Sequence, residues 1–245
     1  MIVRWRGAVS CAALVVALTC AHPVSAATSR PVTFRTDDGV TIAATMYEAS
    51  RRPAPAVILL HMLTRSRDDW QAFADRLADA GINALAIDFR GHGGSSHGPA
   101  GADGEPDLAR MTLDVQAARA FLVAHPDLVK LTQIGIAGAS IGANIAILEA
   151  ASDSAIKSLA LLSPGLDYRT LRAEAAMRKY APRPVLFVAA TNDPYASRSV
   201  KQLSSLGTGL REIKTLDNAG HGTTMLARSP DLARLLVDWF ERTLL

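Results

Sequence analysis

Gln133-Ile134-Gly135-Ile136-Ala137-Gly138-Ala139-Ser140-Ile141-Gly142-Ala143-Asn144-Ile145-Ala146-Ile147-Leu148-Glu149 changes character at its midpoint. Its first part is a short apolar run of the kind that forms a buried strand. Its last part carries apolar residues at helical spacing. A strand that feeds straight into a helix must turn sharply. Small residues on both sides of Ser140 let that turn close without a clash. The serine then stands at the tip, beside the first free N–H groups of the helix, which favour negative charge. The spacing Gly138-x-Ser140-x-Gly142 in this setting reads as a nucleophile elbow. A Gly/Ser-rich turn without chemistry is the plain alternative.

The flanking chain repeats the same alternation. Segments 56–60 and 82–89 are continuous apolar runs, expected of strands buried on both faces. Between them, 68–80 has helical spacing, with Trp70, Phe73, Leu77 and Ala80 on one side, and Gly81 ends it. A Gly-rich loop covers 90–105, and Pro106 opens a predicted amphipathic helix reaching about His125. Strands are predicted at 131–137, 156–162, 185–190 and 211–216, and a closing helix at 232–244. Segments 31–34 and 40–47, around Asp37-Asp38-Gly39, read as a hairpin. Segment 163–184 is a short insertion with one expected helix at 171–180. Leu166, Leu171, Ala175 and Met177 there would either line a shallow pocket or pin that helix to the core. Strands alternating with helices imply an α/β fold. Its central sheet would be mostly parallel, with an antiparallel N-terminal edge and helices on both faces.

The chain has 245 residues, 49% of them hydrophobic, which suffices for one domain with a sizeable core. Residues 1–26 read as a secretory signal: basic Arg4 and Arg6, an apolar run at 8–18, and small residues at Val24-Ser25-Ala26 before a cut. The domain is then 27–245, exported to the periplasm or secreted, with no stable membrane insertion after cleavage. Both cysteines, Cys11 and Cys20, fall in the signal, so the mature chain has no disulfide or thiol chemistry. Thr19 before Cys20 fits a lipidation site poorly. The net charge is +3, and Arg4 and Arg6 account for two of those charges. No basic run reads as a nucleic-acid patch.

A serine hydroxyl needs a base, and the base needs an orienting acid. After Ser140 the chain has one histidine, His221, held between Gly220 and Gly222 beyond the last predicted strand. A lone histidine between glycines is otherwise a polar turn residue. The acid should lie on a loop at the same sheet edge, where strand carboxyl ends gather the reacting groups. Asp193 follows the strand 185–190 directly. Pro194 next to it gives the alternative of a helix cap. Asp167, after the preceding strand, competes. Asp217 is too close in sequence to His221 and reads as a turn residue. An oxyanion needs N–H donors. Ile141 supplies one, and Leu63, or else Met62, supplies the other from the loop after Leu60. The glycines do not make a dinucleotide or phosphate loop. His92 and His97 lack the partners of a metal site and read as solvated loop residues. No cofactor is implied.

The order Ser140, Asp193, His221, the elbow, and His61 ending an early strand resemble the α/β-hydrolase superfamily. Asp88-Phe89-Arg90-Gly91-His92-Gly93-Gly94-Ser95-Ser96 resembles its frequent loop after the fourth strand. Within it the chain looks most like small bacterial serine esterases and dienelactone-hydrolase-like proteins, with serine as nucleophile. The resemblance covers about 31–245. It implies a single-domain α/β-hydrolase fold, a Ser140–His221–Asp193 triad and a small-molecule ester substrate; the alternatives are a peptidase or thioesterase of the same fold, or a non-catalytic binding protein that kept it. It leaves the oligomeric state open. Met62 stands where many members have glycine, which would narrow the acyl side of the pocket.

Overall fold

The computed structural model describes residues 28–99, 107–169 and 171–245, with Met1 and Ile2. The expected signal segment, with Cys11 and Cys20, otherwise lies outside the described residues, as do 100–105 of the Gly-rich loop and Pro106.

The strands are β1 Thr28–Arg35, β2 Thr41–Glu48, β3 Ala54–Leu60, β4 Asn83–Ile87, β5 Val129–Ala139, β6 Ile156–Leu162, β7 Asp167–Tyr168, β8 Leu171–Arg172, β9 Val185–Ala190 and β10 Arg211–Leu216. The helices are α1 Gln71–Asp79, α2 Met111–Val123, α3 Ile141–Ser152, α4 Glu174–Tyr180, α5 Pro194–Ser204, α6 Thr224–Arg228 and α7 Pro230–Leu244. Eight strands make one sheet in the order β1-β2-β4-β3-β5-β6-β9-β10. β1 and β2 are antiparallel, and β2 runs antiparallel to β4. Every later neighbour is parallel.

The mostly parallel sheet with an antiparallel edge follows from the apolar runs. All seven residues of β3 are buried. Its side chains alternate between two cores, as a two-residue repeat requires. Ile58 and Leu60 join Val115, Ile136 and Ile147 on the face covered by α2 to α5. Val57 and Leu59 join Phe73, Trp239 and Phe240 on the face covered by α1 and α7. α3 is apolar on nearly every side, with Ile141 to Ile147, Glu149 and Ala150 buried. A helix of that composition belongs inside a layered fold, and there it carries the elbow. Among the described residues, no helix is long and apolar enough to cross a membrane.

Three local expectations change. The helix expected at 171–180 begins only at Glu174, because Leu171 and Arg172 pair with β7. Buried Asn144 accounts for this: its Nδ2 donates to the carbonyls of Gly165 and Leu171 at 3.0 and 2.9 Å, and its Oδ1 accepts from Gly165 N–H at 2.9 Å. Leu171 and Met177 are buried in the core, so they pin the insertion rather than line a pocket, while Ala175 is exposed. The helix expected from Pro106 begins as a 3₁₀ turn, Leu108–Arg110, capped by Asp107, and becomes α-helical at Met111. The five-residue α6, just after His221, is too short for helical periodicity to reveal.

Candidate active site

β5 ends at Ala139 and α3 begins at Ile141, so Ser140 alone makes the turn. Its backbone is held at φ 53° and ψ −116°, well away from the ordinary regions for a residue with a Cβ. The flanking glycines permit this. A Cβ on Gly142 would lie 2.5 Å from the Leu60 carbonyl oxygen and 2.7 Å from that of His61, and one on Gly138 would strike the Gly142 carbonyl. Strain of this kind costs on the order of 1–3 kcal/mol and collects at functional sites. Ser140 N–H donates to the Leu162 carbonyl at 2.8 Å, tying the elbow to the end of β6.

His221 lies between β10 and α6. Its N–H donates to Thr224 Oγ1 at 3.1 Å. On either side, Gly220 N–H reaches Asn192 Oδ1 at 2.9 Å and Gly222 N–H reaches Ser163 Oγ at 3.0 Å. The imidazole Nδ1 is 2.5 Å from Asp193 Oδ2. The other oxygen of Asp193 accepts from Ala196 N–H at 3.2 Å, so one carboxylate caps α5 and holds the histidine together. The cap and the acid, alternatives in the sequence, are compatible in the structure. Asp167 lies in the β7–β8 hairpin, where it pairs with Arg172 at 3.2 Å. Asp217 accepts from Thr191 Oγ1 at 3.0 Å.

The histidine loop also borders the elbow. A Cβ on Gly222 would lie 2.6 Å from Met62 Sδ and 3.6 Å from Ala139 Cβ, the residue before Ser140. The Met62 side chain therefore packs the loop after β3 against the His221 loop. Ser140 is 3% exposed, whereas the His221 side chain is 45% exposed. Among the described residues, the Ser140 hydroxyl makes no hydrogen bond within 3.5 Å, to His221 or to any other group. Catalytic hydrogen bonds are often long before substrate binds.

Ile141 opens α3, so its N–H is one of the helix's unpaired donors. Among the described residues, the N–H groups of Met62 and Leu63 also have no acceptor. The loop carrying them is fixed from below. Buried His61 donates from Nδ1 to the Met62 carbonyl at 2.7 Å, and its Nε2 accepts from Phe89 N–H at 3.0 Å. A carbonyl only accepts and an N–H only donates, so this ring is neutral. Burial lowers its pKa to about 4, against the opposing pull of the Met62 carbonyl. Asp69 accepts from Arg65 and from Thr223, joining this loop to the start of α6. Burial raises the Asp69 pKa, but those two hydrogen bonds outweigh it and hold it below the usual range.

Sequence reasoning passed over Asn144, Ser163 and Asn192, which fix the loops around the site, and read His92, which reaches Thr64, as a solvated loop residue. Their partners lie 21 to 59 positions away, and no short motif marks them. Among the described residues, no group of three or more His, Cys, Asp or Glu is placed to hold a metal ion.

Residues 51–191 match the family described as Serine aminopeptidase, S33. The chain belongs to that family. It is a hydrolase-type α/β fold of the α/β-hydrolase superfamily. The matched stretch contains the elbow and the loop after β3 and stops two residues before Asp193. A polyketide transferase of Stachybotrys chlorohalonatus is 31% identical over 146 residues, spanning 58% of this chain and 46% of that protein. A protein of Rattus norvegicus named as a candidate protein-lysine deacylase is 28% identical over 169 residues, spanning 68% of this chain and 74% of that one. The chain thus spans about half the length of the first of these relatives. An esterase of Pyrococcus furiosus shares the fold, with a TM-score of 0.70 at 18% identity, covering 89% of this chain and 92% of that one.

Proposed function

We propose that this chain is an exported serine hydrolase that cleaves small carboxylic esters through Ser140, His221 and Asp193. The observation that carries the reading is the 2.5 Å contact between His221 Nδ1 and Asp193 Oδ2 on the loop packed against the strained Ser140 turn. In this reaction Ser140 Oγ attacks the ester carbonyl as His221 Nε2 takes its proton. The N–H groups of Ile141 and Leu63, or Met62, hold the oxyanion. His221 returns the proton to the departing alcohol, leaving an acyl-serine. Water, deprotonated by the same ring, then releases the acid. Asp193 keeps the proton on Nδ1 and stabilises the imidazolium.

A second reading, aminopeptidase action, is favoured by the description of the matched family. A panel of p-nitrophenyl esters of increasing acyl length and of aminoacyl p-nitroanilides separates the two. The ester reading predicts kcat/KM highest at short acyl chains, since the insertion is one hairpin and one short helix with Leu171 and Met177 turned to the core. Faster turnover of the anilides would establish the peptidase instead. Export rests on residues 1–26. Intact mass of the protein from its native host should show a mature chain starting near Ala27 without lipid, and an acylated Cys20 at the N-terminus would overturn that assignment.

A further inference from the structure

We propose that His92 is a positioning residue for the oxyanion loop, holding Thr64 in the backbone conformation that presents the Leu63 N–H. The inference rests on the serine-hydrolase reading above. Met62 to Arg65 form a tight turn, closed by the Arg65 N–H to the Met62 carbonyl at 3.2 Å. Thr64 occupies the third place of that turn with φ +64°. Such turns favour glycine there, and a β-branched residue is a genuine outlier. The conformation must therefore be imposed from outside.

The Thr64 N–H donates to His92 Nε2 at 3.3 Å, across 28 residues of sequence. His92 is itself aimed by its other nitrogen, which donates to the Arg90 carbonyl at 3.0 Å. Its ring stands 5.1 Å from that of His61, which braces the Met62 carbonyl of the same turn. Two imidazoles, each giving one hydrogen bond and accepting one, thus tie the loop after β3 to the loop after β4. They fix the Met62 carbonyl and the Thr64 N–H, which belong to the peptide groups before and after Leu63. The Leu63 N–H shares a trans peptide group with the Met62 carbonyl, so fixing that carbonyl aims the N–H the opposite way.

The two ring nitrogens can be tested separately. A glutamine carries its terminal amide where Nε2 lies and can still accept from Thr64, whereas an asparagine reaches only the Nδ1 position. Removing a whole oxyanion donor costs about 10²–10³ in kcat, and displacing one should cost about tenfold or more. His92→Asn should therefore lower kcat for a p-nitrophenyl ester about tenfold or more with KM little changed. It should weaken a trifluoromethyl ketone inhibitor by a similar factor, while His92→Gln stays within about threefold of the parent. Full kcat in His92→Asn would overturn the proposal. So would an equal loss in both variants, a change in KM alone, or a His92→Asn chain that no longer folds, since each makes the ring a packing element. Ser140→Ala is run beside them. Turnover surviving in that variant refutes the hydrolase reading itself, whatever His92 does.

Discussion

Asp193→Asn separates the two duties of one carboxylate. Asp193 Oδ1 caps α5 at Ala196 N–H, 3.2 Å away, and Oδ2 meets His221 Nδ1 at 2.5 Å. Asparagine caps helices as well as aspartate does, so the variant should melt close to the parent. The amide cannot fulfil the second duty. An NH₂ facing Nδ1 favours the tautomer with its proton on Nε2, which in the proposed reaction could no longer take the Ser140 proton. The comparable change in a buried triad costs about 10⁴ in kcat. Here the His221 side chain is 45% exposed and Asp193 12%. Water can therefore partly solvate the imidazolium, and a loss of about 10³–10⁴ is expected. That corresponds to about 4–5.5 kcal/mol of transition-state stabilisation. Asp193→Ala should lose the cap as well. A lost cap costs about 1 kcal/mol, which for a domain of this size lowers Tm by about 2–4 °C. Steady-state ester hydrolysis and thermal melts of both variants give the two readouts. An Asp193→Asn protein with kcat within tenfold of the parent would refute the pairing argument.

Gly142→Ala should be among the most damaging substitutions in the chain, because its Cβ would fall 2.5 Å from the Leu60 carbonyl oxygen, which is fixed backbone. We expect a loss of about 1–3 kcal/mol or more, read as a lower denaturant midpoint. Glu149 is 5% exposed on α3, and burial raises its pKa despite a 3.1 Å hydrogen bond from Gln116. A carboxyl whose pKa is raised by folding costs nothing below its unfolded value near 4.5, opposes folding increasingly as pH climbs from there, and does so in full above the folded value. Glu149→Gln should therefore raise Tm at pH 7, with the gain vanishing near pH 4; an equal gain at both pH values would contradict this.

Much of this architecture is legible in the sequence because burial writes itself locally. β6 and β9 coincide with the apolar runs at 156–162 and 185–190, and the small residues around Ser140 announce a turn that only they can make. Asp193 is also readable in part, since Pro194 marks a helix start and strand ends gather the chemistry. The rest depends on pairings between distant segments. Nothing near Asn144 in sequence says that it clamps Gly165 and Leu171 into a hairpin, and so the predicted helix ran three residues too far. His92 reads as a solvated loop residue until the fold brings Thr64 to it. The role of Met62 likewise needs Gly222, 160 positions on, for its sulfur has room only because that residue lacks a Cβ.

The most direct measurement is the intact mass of the purified protein after reaction with a fluorophosphonate, followed by peptide mapping of the adduct. The account predicts a single phosphonyl group on Ser140, with ester hydrolysis abolished in step with labelling. It also predicts neither labelling nor turnover in a folded Ser140→Ala variant. An adduct on any other residue, or undiminished turnover in Ser140→Ala, would contradict it.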